Sequence, residues 1–304
     1  MAEKTTIRPL RTTDADAVVK IDRERSGRLR TEFYAKRFQT LVEEPHAFVA
    51  VAAQQGQDVV GFAFARILDG EFGGAAPVGA LDAIGVSMGQ EREGVATALL
   101  AGLEATLAAR GVRALRTQVD WTEHGMAAFF SASGFQLSPR VVLERSLERP
   151  LDDEDPSDDV VVRSMSENDL RAITRLDRKV TGQDRTAYLK RKADEVLKQS
   201  AIRVSLVAEV DGMLAGFLMA RVDFGEFGRT EATAILDTIG VDPALARRGV
   251  GRALLEQLLL NLGSLRAERL VTEVEWKHLP LLGFLRRTGF GHAQRLAFDK
   301  AVVA

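Results

Sequence analysis

Between Gly249 and Leu262 the apolar positions follow a helical period. Leu254, Leu255, Leu258 and Leu259 fall on one face, which predicts an amphipathic helix with that face inward. Upstream the pattern changes to strand-like runs, Ile202 to Val210 and Met213 to Val222, joined by Asp211-Gly212, the dipeptide of a tight hairpin. Ala232 to Val241 and Leu270 to Trp276 are further predicted strands, with a loop at Pro243 to Arg248, a short helix from Leu279 to Arg287 closed by Gly289, and a last strand near Leu296 to Val302. At the front of this half, Val160 to Arg163 forms a strand, Ser166-Glu167-Asn168-Asp169 offers a helix cap ahead of Leu170, Ile173 and Leu176, and a second helix covers Thr186 to Gln199. The expected unit is an α/β fold of the α+β kind: a mixed, mostly antiparallel sheet with helices on its faces.

The same pattern occurs earlier, displaced by 155 positions, since Arg8 corresponds to Arg163. Asp22-Arg23 recurs as Asp177-Arg178, Gly70-Glu71-Phe72-Gly73 as Gly225-Glu226-Phe227-Gly228, and Ile84-Gly85-Val86 as Ile239-Gly240-Val241. Gly94-Val95 recurs as Gly249-Val250, Trp121 as Trp276 and Gly134-Phe135 as Gly289-Phe290, with no gap between landmarks. One fold repeated twice is the expectation. The stretch from Pro150 to Asp159 is acidic, carries two prolines and lacks periodicity, so it reads as a linker between units at 1-150 and 156-304.

The 304 residues suffice for two cores, and 46% hydrophobic with 28% charged residues is a globular balance. A net charge of -2 provides no broad field for nucleic acid or an anionic membrane, so any anion site must be local. The absence of cysteine removes disulfides, thiolate metal sites and a cysteine nucleophile, and no metal site is predicted. Neither a cleavable leader nor a bilayer-length apolar run is read, which makes cytoplasmic the default expectation.

The chemistry concentrates in a strand, a loop and a helix. Ala246-Arg247-Arg248-Gly249-Val250-Gly251-Arg252 opens the helix where main-chain N–H groups lack intrahelical acceptors and the dipole is positive, a setting for a polyanion such as pyrophosphate. Gly249 and Gly251 admit close approach, while Arg247, Arg248 and Arg252 supply charge. A phosphate-binding P-loop would need Lys-Ser/Thr where Arg252-Ala253 stands, and a dinucleotide fingerprint a third glycine where Leu254 stands. The alternative is a helix start whose glycines only permit close packing. In the first repeat the loop reads Glu91-Arg92-Glu93-Gly94-Val95-Ala96-Thr97, with carboxylates where an anion would lie.

Asp237 to Pro243 followed by Arg247 to Leu255 resembles the central motif of the GNAT-type N-acetyltransferases, and Phe284 to Phe290 resembles that superfamily's closing helix and Gly-Phe signature. The hairpin followed by Gly216-Phe217 is similar to its second and third strands. The resemblance covers nearly all of both halves and implies two tandem GNAT-like acyl-CoA N-acyltransferase domains packed as a pseudo-dimer. It implies acetyl-CoA as co-substrate, its pantetheine arm on the main chain near Ile239, Gly240 and Val241, and its pyrophosphate on Arg247, Arg248, Gly249, Val250, Gly251 and Arg252. The acceptor expected is a small-molecule or peptide amine. Two departures stand out. Ala246 occupies the place where the family usually has Gln or Arg, and Leu285 stands where many members have a thiolate-protonating tyrosine. Residues 1-150 are expected to bind coenzyme A poorly or not at all.

Without cysteine, direct attack in a ternary complex is the simpler mechanism, with an N–H near Val241 for the oxyanion. Asp237 is the first candidate base and Glu226 the second, although both recur as Asp82 and Glu71 and also fit structural hydrogen bonding. His278, near the place where the family often has Asn, is a candidate to orient substrate or shuttle a proton, against a plain surface histidine. Asp177, Arg178, Gly182 and Arg185 would border the acceptor pocket by resemblance, or else form a salt-bridged helix-turn-helix. Trp121 and Trp276 are expected in the core or at the domain contact. The competing readings are a non-catalytic coenzyme A-binding or sensing protein and an interaction scaffold without ligand.

Overall fold

The computed structural model describes residues 4–27, 29–69, 76–148, 151, 159–199, 204–224, 232–265 and 267–303. The first repeat runs β1 (Thr6–Pro9), α1 (Ala15–Ser26), α2 (Thr31–Glu43), β2 (Phe48–Gln55), β3 (Asp58–Asp69), β4 (Pro77–Val86), α3 (Val95–Ala109), β5 (Ala114–Asp120), α4 (His124–Ala132), β6 (Gln136–Leu137) and β7 (Arg140–Ser146). The second repeats this order as β8 (Val160–Ser164), α5 (Leu170–Thr181), α6 (Thr186–Gln199), β9 (Leu206–Val210), β10 (Met213–Phe224), β11 (Ala232–Val241), α7 (Val250–Gly263), β12 (Arg269–Glu275), α8 (Leu279–Arg287), β13 (Gly291–His292) and β14 (Arg295–Ala301).

The hairpin between β9 and β10 turns at Asp211 (φ 52°) and Gly212 (φ 73°), the pair of left-handed residues a type I′ turn requires. On α7 the predicted face is inward: Leu254, Leu255, Leu258 and Leu262 are buried against β9–β11, and Leu259 packs at their margin. Burying each such leucine contributes about 1.5–3 kcal/mol. The opposite face of that sheet is covered by α5 and α6 through Ile173, Leu176, Tyr188 and Leu189 over Phe217 and Met219. The first repeat has the same two-sided cover.

Each sheet has seven strands, in the orders β1-β2-β3-β4-β5-β14-β6 and β13-β7-β12-β11-β10-β9-β8. The last long strand of each repeat therefore belongs to the other repeat's sheet. Arg140–Ser146 runs antiparallel to β12, and Arg295–Ala301 runs antiparallel to β5. The exchange is reciprocal, because Arg140 pairs with Glu275 and its counterpart Arg295 with Asp120. At the seam Val142, Val271 and Ala297 pack together, Gln118 donates to Glu273, and Arg140 binds Asp299 at 2.8 Å. The two GNAT-like units are thus joined as the expected pseudo-dimer, with strands crossing between them.

The cap at the start of α5 forms as expected. Ser166 N–H donates to Asp169 Oδ2 at 2.8 Å, and Arg163 grips the same carboxylate at 2.7 and 2.8 Å. That guanidinium holds the Asp169 carboxyl at about 2, below its ordinary 3.8. A depressed carboxylate stabilises the fold above its unfolded pKa and loses that contribution as pH falls through its folded pKa. Asp169→Asn is accordingly expected to lower the urea midpoint at pH 5, with the gap to the parent closing by about pH 2. A gap that persists unchanged across this range would contradict the assignment.

Candidate functional site

Strand β11 pairs with β12 in parallel only from Thr233–Arg269 to Ile235–Val271. Beyond Ile235 the two strands separate. On its other edge β11 stays bonded to β10 through a one-residue bulge, since Met219 faces Thr238 while Ala220 faces Leu236, leaving Asp237 as the extra residue. Past the bulge the alternation is fixed: Asp242 N–H donates to Ala215 O at 2.8 Å, so the main-chain groups of Val241, and of Ile239 two residues before it, face the opened side. Gly240 lies between them over the Phe217 ring, where a Cβ would come within 2.6 Å of Cε1. Gly216 on β10 leaves room for Val250, whose Cγ1 would lie 2.8 Å from an added Cβ. These two glycines seat the start of α7 directly beside the end of β11.

The connecting loop is a single turn at Pro243–Leu245, capped by the Asp242 carboxylate, which accepts from Ala244 N–H at 2.9 Å and from the Lys179 ammonium at 2.6 Å. Those donors, Lys179 foremost, hold the Asp242 carboxyl below the usual carboxylate range. Arg247 then adopts φ 66° and Gly249 φ 79°, two left-handed residues that turn the chain into the helix. The first intrahelical bond is Ala253 N–H to Gly249 O, at 2.9 Å, so the amides preceding it at the helix start have no acceptor within the helix. Arg247 is exposed and has no ion-pair partner among the described residues. Arg248 is exposed 3.8 Å from Asp159, and Arg252 is half-buried and paired with Glu256 at 2.8 Å. The inner side of Gly251 faces the Phe284 ring and Val241, with added-Cβ distances of 3.4 and 3.5 Å.

The opened strand edge therefore leads into the helix start: Ile239 and Val241 close β11, Gly249 to Arg252 open α7, and Phe284 of α8 comes up against Gly251. An open strand edge can take strand-like bonds from an extended chain, and free helix amides can take an anion.

The other candidates are scattered. The Asp237 side chain is 1% exposed and lies 3.3 Å from Arg221 Nε and 3.8 Å from Lys192 Nζ, on the face covered by α5 and α6. The first repeat builds the same cluster, with Asp82 2.8 Å from Arg66 and 3.2 Å from Arg37. Glu226 and Glu71 lie outside the described residues. His278 is exposed at the N-terminal cap of α8, three residues past the end of β12. Leu285 is buried in the core beside Phe290. Arg185 forms a buried two-point bond to Asp177, as Arg30 does to Asp22, so this helical hairpin is salt-bridged as one of the two readings held.

The tryptophans correct an expectation. Trp276 is 64% exposed and Trp121 55% exposed, neither in the core nor buried at the seam. Each follows the last residue of its strand and is anchored through its main chain, Trp276 N–H to Pro139 O at 3.0 Å and Trp121 N–H to Gln294 O at 3.2 Å. Sequence reasoning also missed Lys192 and Arg221 as partners of Asp237, although their recurrence as Arg37 and Arg66 was a usable signal. No cluster of His, Asp or Glu suited to a metal occurs among the described residues, and no helix there is long and apolar enough to cross a membrane.

The family model described as acetyltransferase (GNAT) family matches the chain twice, over residues 15–135 and 168–290. Among solved structures, the chain is similar to a GCN5-related glucosamine N-acetyltransferase region of a fungal multi-domain GH3 beta-N-acetylglucosaminidase, at 15% identity and a TM-score of 0.70, covering 98% of this chain and 38% of that one. A GCN5-related N-acetyltransferase from Sphaerobacter thermophilus aligns at 16% identity and TM-score 0.65, covering 99% of this chain and 96% of the other. A tandem GNAT protein from the clavulanic acid biosynthesis pathway aligns at 19% identity and TM-score 0.64, covering 99% of each chain. At these identities the likeness is one of fold. No functionally curated protein matches the sequence.

Proposed function

The chain belongs to the GNAT acetyltransferase family in both of its halves, and from that premise we propose that residues 156–304 bind acetyl-CoA and pass its acetyl group to a primary amine, while residues 1–150 do not hold the donor. The observation that carries the reading is the edge of β11 left open beyond Ile235 and followed by the free amides after Gly249, which we read as one groove. In it, Ile239 and Val241 bond the pantetheine arm, Gly240 keeps the strand end flush with β10, and Arg247 to Arg252 neutralise the diphosphate. Of the three arginines Arg247 carries most of this, because Glu256 already engages Arg252.

The donor supplies an activated thioester. The amine nitrogen attacks its carbonyl carbon, the Val241 N–H stabilises the oxyanion, the C–S bond breaks and the thiolate departs. A thiol of pKa about 8.5 leaves without a proton donor, which accommodates the apolar Leu285. The amine proton passes to Asp237 through water, since that carboxylate is enclosed by Arg221 and Lys192, or to His278 at the cap of α8. A pH–rate profile separates these routes. An acid limb that vanishes in His278→Asn assigns the proton to His278, whereas a profile unchanged by that substitution leaves Asp237.

Titration calorimetry with acetyl-CoA tests the reading, with one site per chain expected and no binding ending it. Binding without acetyl transfer to any member of an amine panel would instead support a coenzyme A sensor, for which the buried Leu285 is the favouring observation.

A further inference from the structure

The first repeat retains the frame of the groove but not its opening. Val86 ends β4 as Val241 ends β11, and Ser87 N–H donates to Val60 O at 2.9 Å, so the Val86 carbonyl faces the side where β4 and β5 separate. That carbonyl is occupied. Arg25, in the last turn of α1, donates to it through Nε at 2.6 Å, and the same guanidinium meets the Glu91 carboxylate at 2.9 Å through NH1. Glu91 also accepts from Gly89 N–H at 3.1 Å, which with its other donors holds its carboxyl below the ordinary range. Helix α1, the end of β4 and the loop before α3 are thereby tied together by two side chains.

The second repeat has neither. The counterpart of Arg25 is Val180, an exposed apolar residue, and that of Glu91 is Ala246. Lys179, beside Val180 on α5, reaches Asp242 on the loop instead.

We infer that Arg25 and Glu91 form a latch that closes a latent donor groove in the first repeat. The inference rests on the reading that the second repeat's open groove takes acetyl-CoA. The latch is not a matter of ion-pair strength, because an exposed pair of this kind contributes little to stability. It acts by exclusion. The guanidinium fills the strand-edge acceptor that the arm's amide would use, and the carboxylate places negative charge before a polyanion. Neither obstacle involves the hydrophobic core, so removing both leaves the fold intact and the groove open.

The test is the stoichiometry of acetyl-CoA bound to the full chain. The parent protein binds one equivalent. Arg25→Val with Glu91→Ala, the residues of the second repeat, binds two, the new site being the weaker because Glu93 remains, and adding Glu93→Arg tightens it. Arg25→Met with Glu91→Gln, which preserves side-chain volume, must give the same change and carries the test if the first variant loses its thermal transition. Two equivalents on the parent, or one on variants that melt normally, overturns the latch. Zero equivalents on the parent is a failure of the proposed function, visible before any variant is made.

Discussion

Asp237→Ala is expected to lower folding stability by about 3–5 kcal/mol, a large share of the stability of an ordinary domain. The side chain is 1% exposed and is the anion facing Arg221 at 3.3 Å and Lys192 at 3.8 Å. Removing it takes away a buried carboxylate that two enclosed cations face, where Lys192 of α6 and Arg221 of β10 approach β11. The same loss is expected at Asp82, whose partners are Arg66 and Arg37. Chemical denaturation of Asp237→Ala and Asp82→Ala is the measurement, and comparable losses are expected because the cluster occurs in both halves. An unchanged unfolding midpoint in Asp237→Ala would contradict this structural role, and a collapse of turnover beside it would leave proton transfer as the residue's sole contribution.

Gly251→Leu is expected to weaken acetyl-CoA binding by about tenfold to a hundredfold, while Gly251→Ala remains near the parent. The distances set this contrast. A Cβ at 251 touches the Phe284 ring at 3.4 Å and Val241 at 3.5 Å, so one methyl group fits. The first repeat has Ala96 at this place, partly buried against the same core as Phe129. A leucine extends between Val241 and α8 into the groove itself. Overfilling of this kind costs about 1–3 kcal/mol, and each 1.4 kcal/mol is about a tenfold change in affinity. Ala96→Leu is expected to leave donor binding unaffected. Calorimetry on the three variants decides it: equal affinities for Gly251→Leu and the parent would remove Gly251 from the site.

Much of the frame was legible because hydrophobic period and turn chemistry act locally. Thr186–Gln199 and Leu279–Arg287 form helices over the spans the pattern gives, and Asp211-Gly212 turns where that dipeptide must. The glycines at 249 and 251 marked the start of α7 for the same local reason. Strand partners are not local. The pattern at 295–301 marks a strand but carries no sign of which sheet receives it, because the two candidate neighbours, β5 and β12, are repeats of each other. Trp121 and Trp276 suggested core by bulk alone, yet each falls one residue past a strand end, where the chain turns outward. Arg25 was unreadable as a blocking group, since its reach to Val86 depends on how α1 docks on the sheet. The carboxylate at Glu91 was visible in the loop; the guanidinium that fixes it was not.

The crossing of β7 and β14 between sheets also sets an order of events during synthesis. Strand β7 finds its place only after β12 has been made, and β5 waits for residues 295–301 before its outer edge is paired. At about 5–20 residues per second, the wait between the emergence of β5 and of β14 is roughly 10–35 s. Through that interval the nascent chain presents an unpaired ribbon of backbone to its surroundings, a hazard that ends when the seven-residue segment from Arg295 to Ala301 slots in.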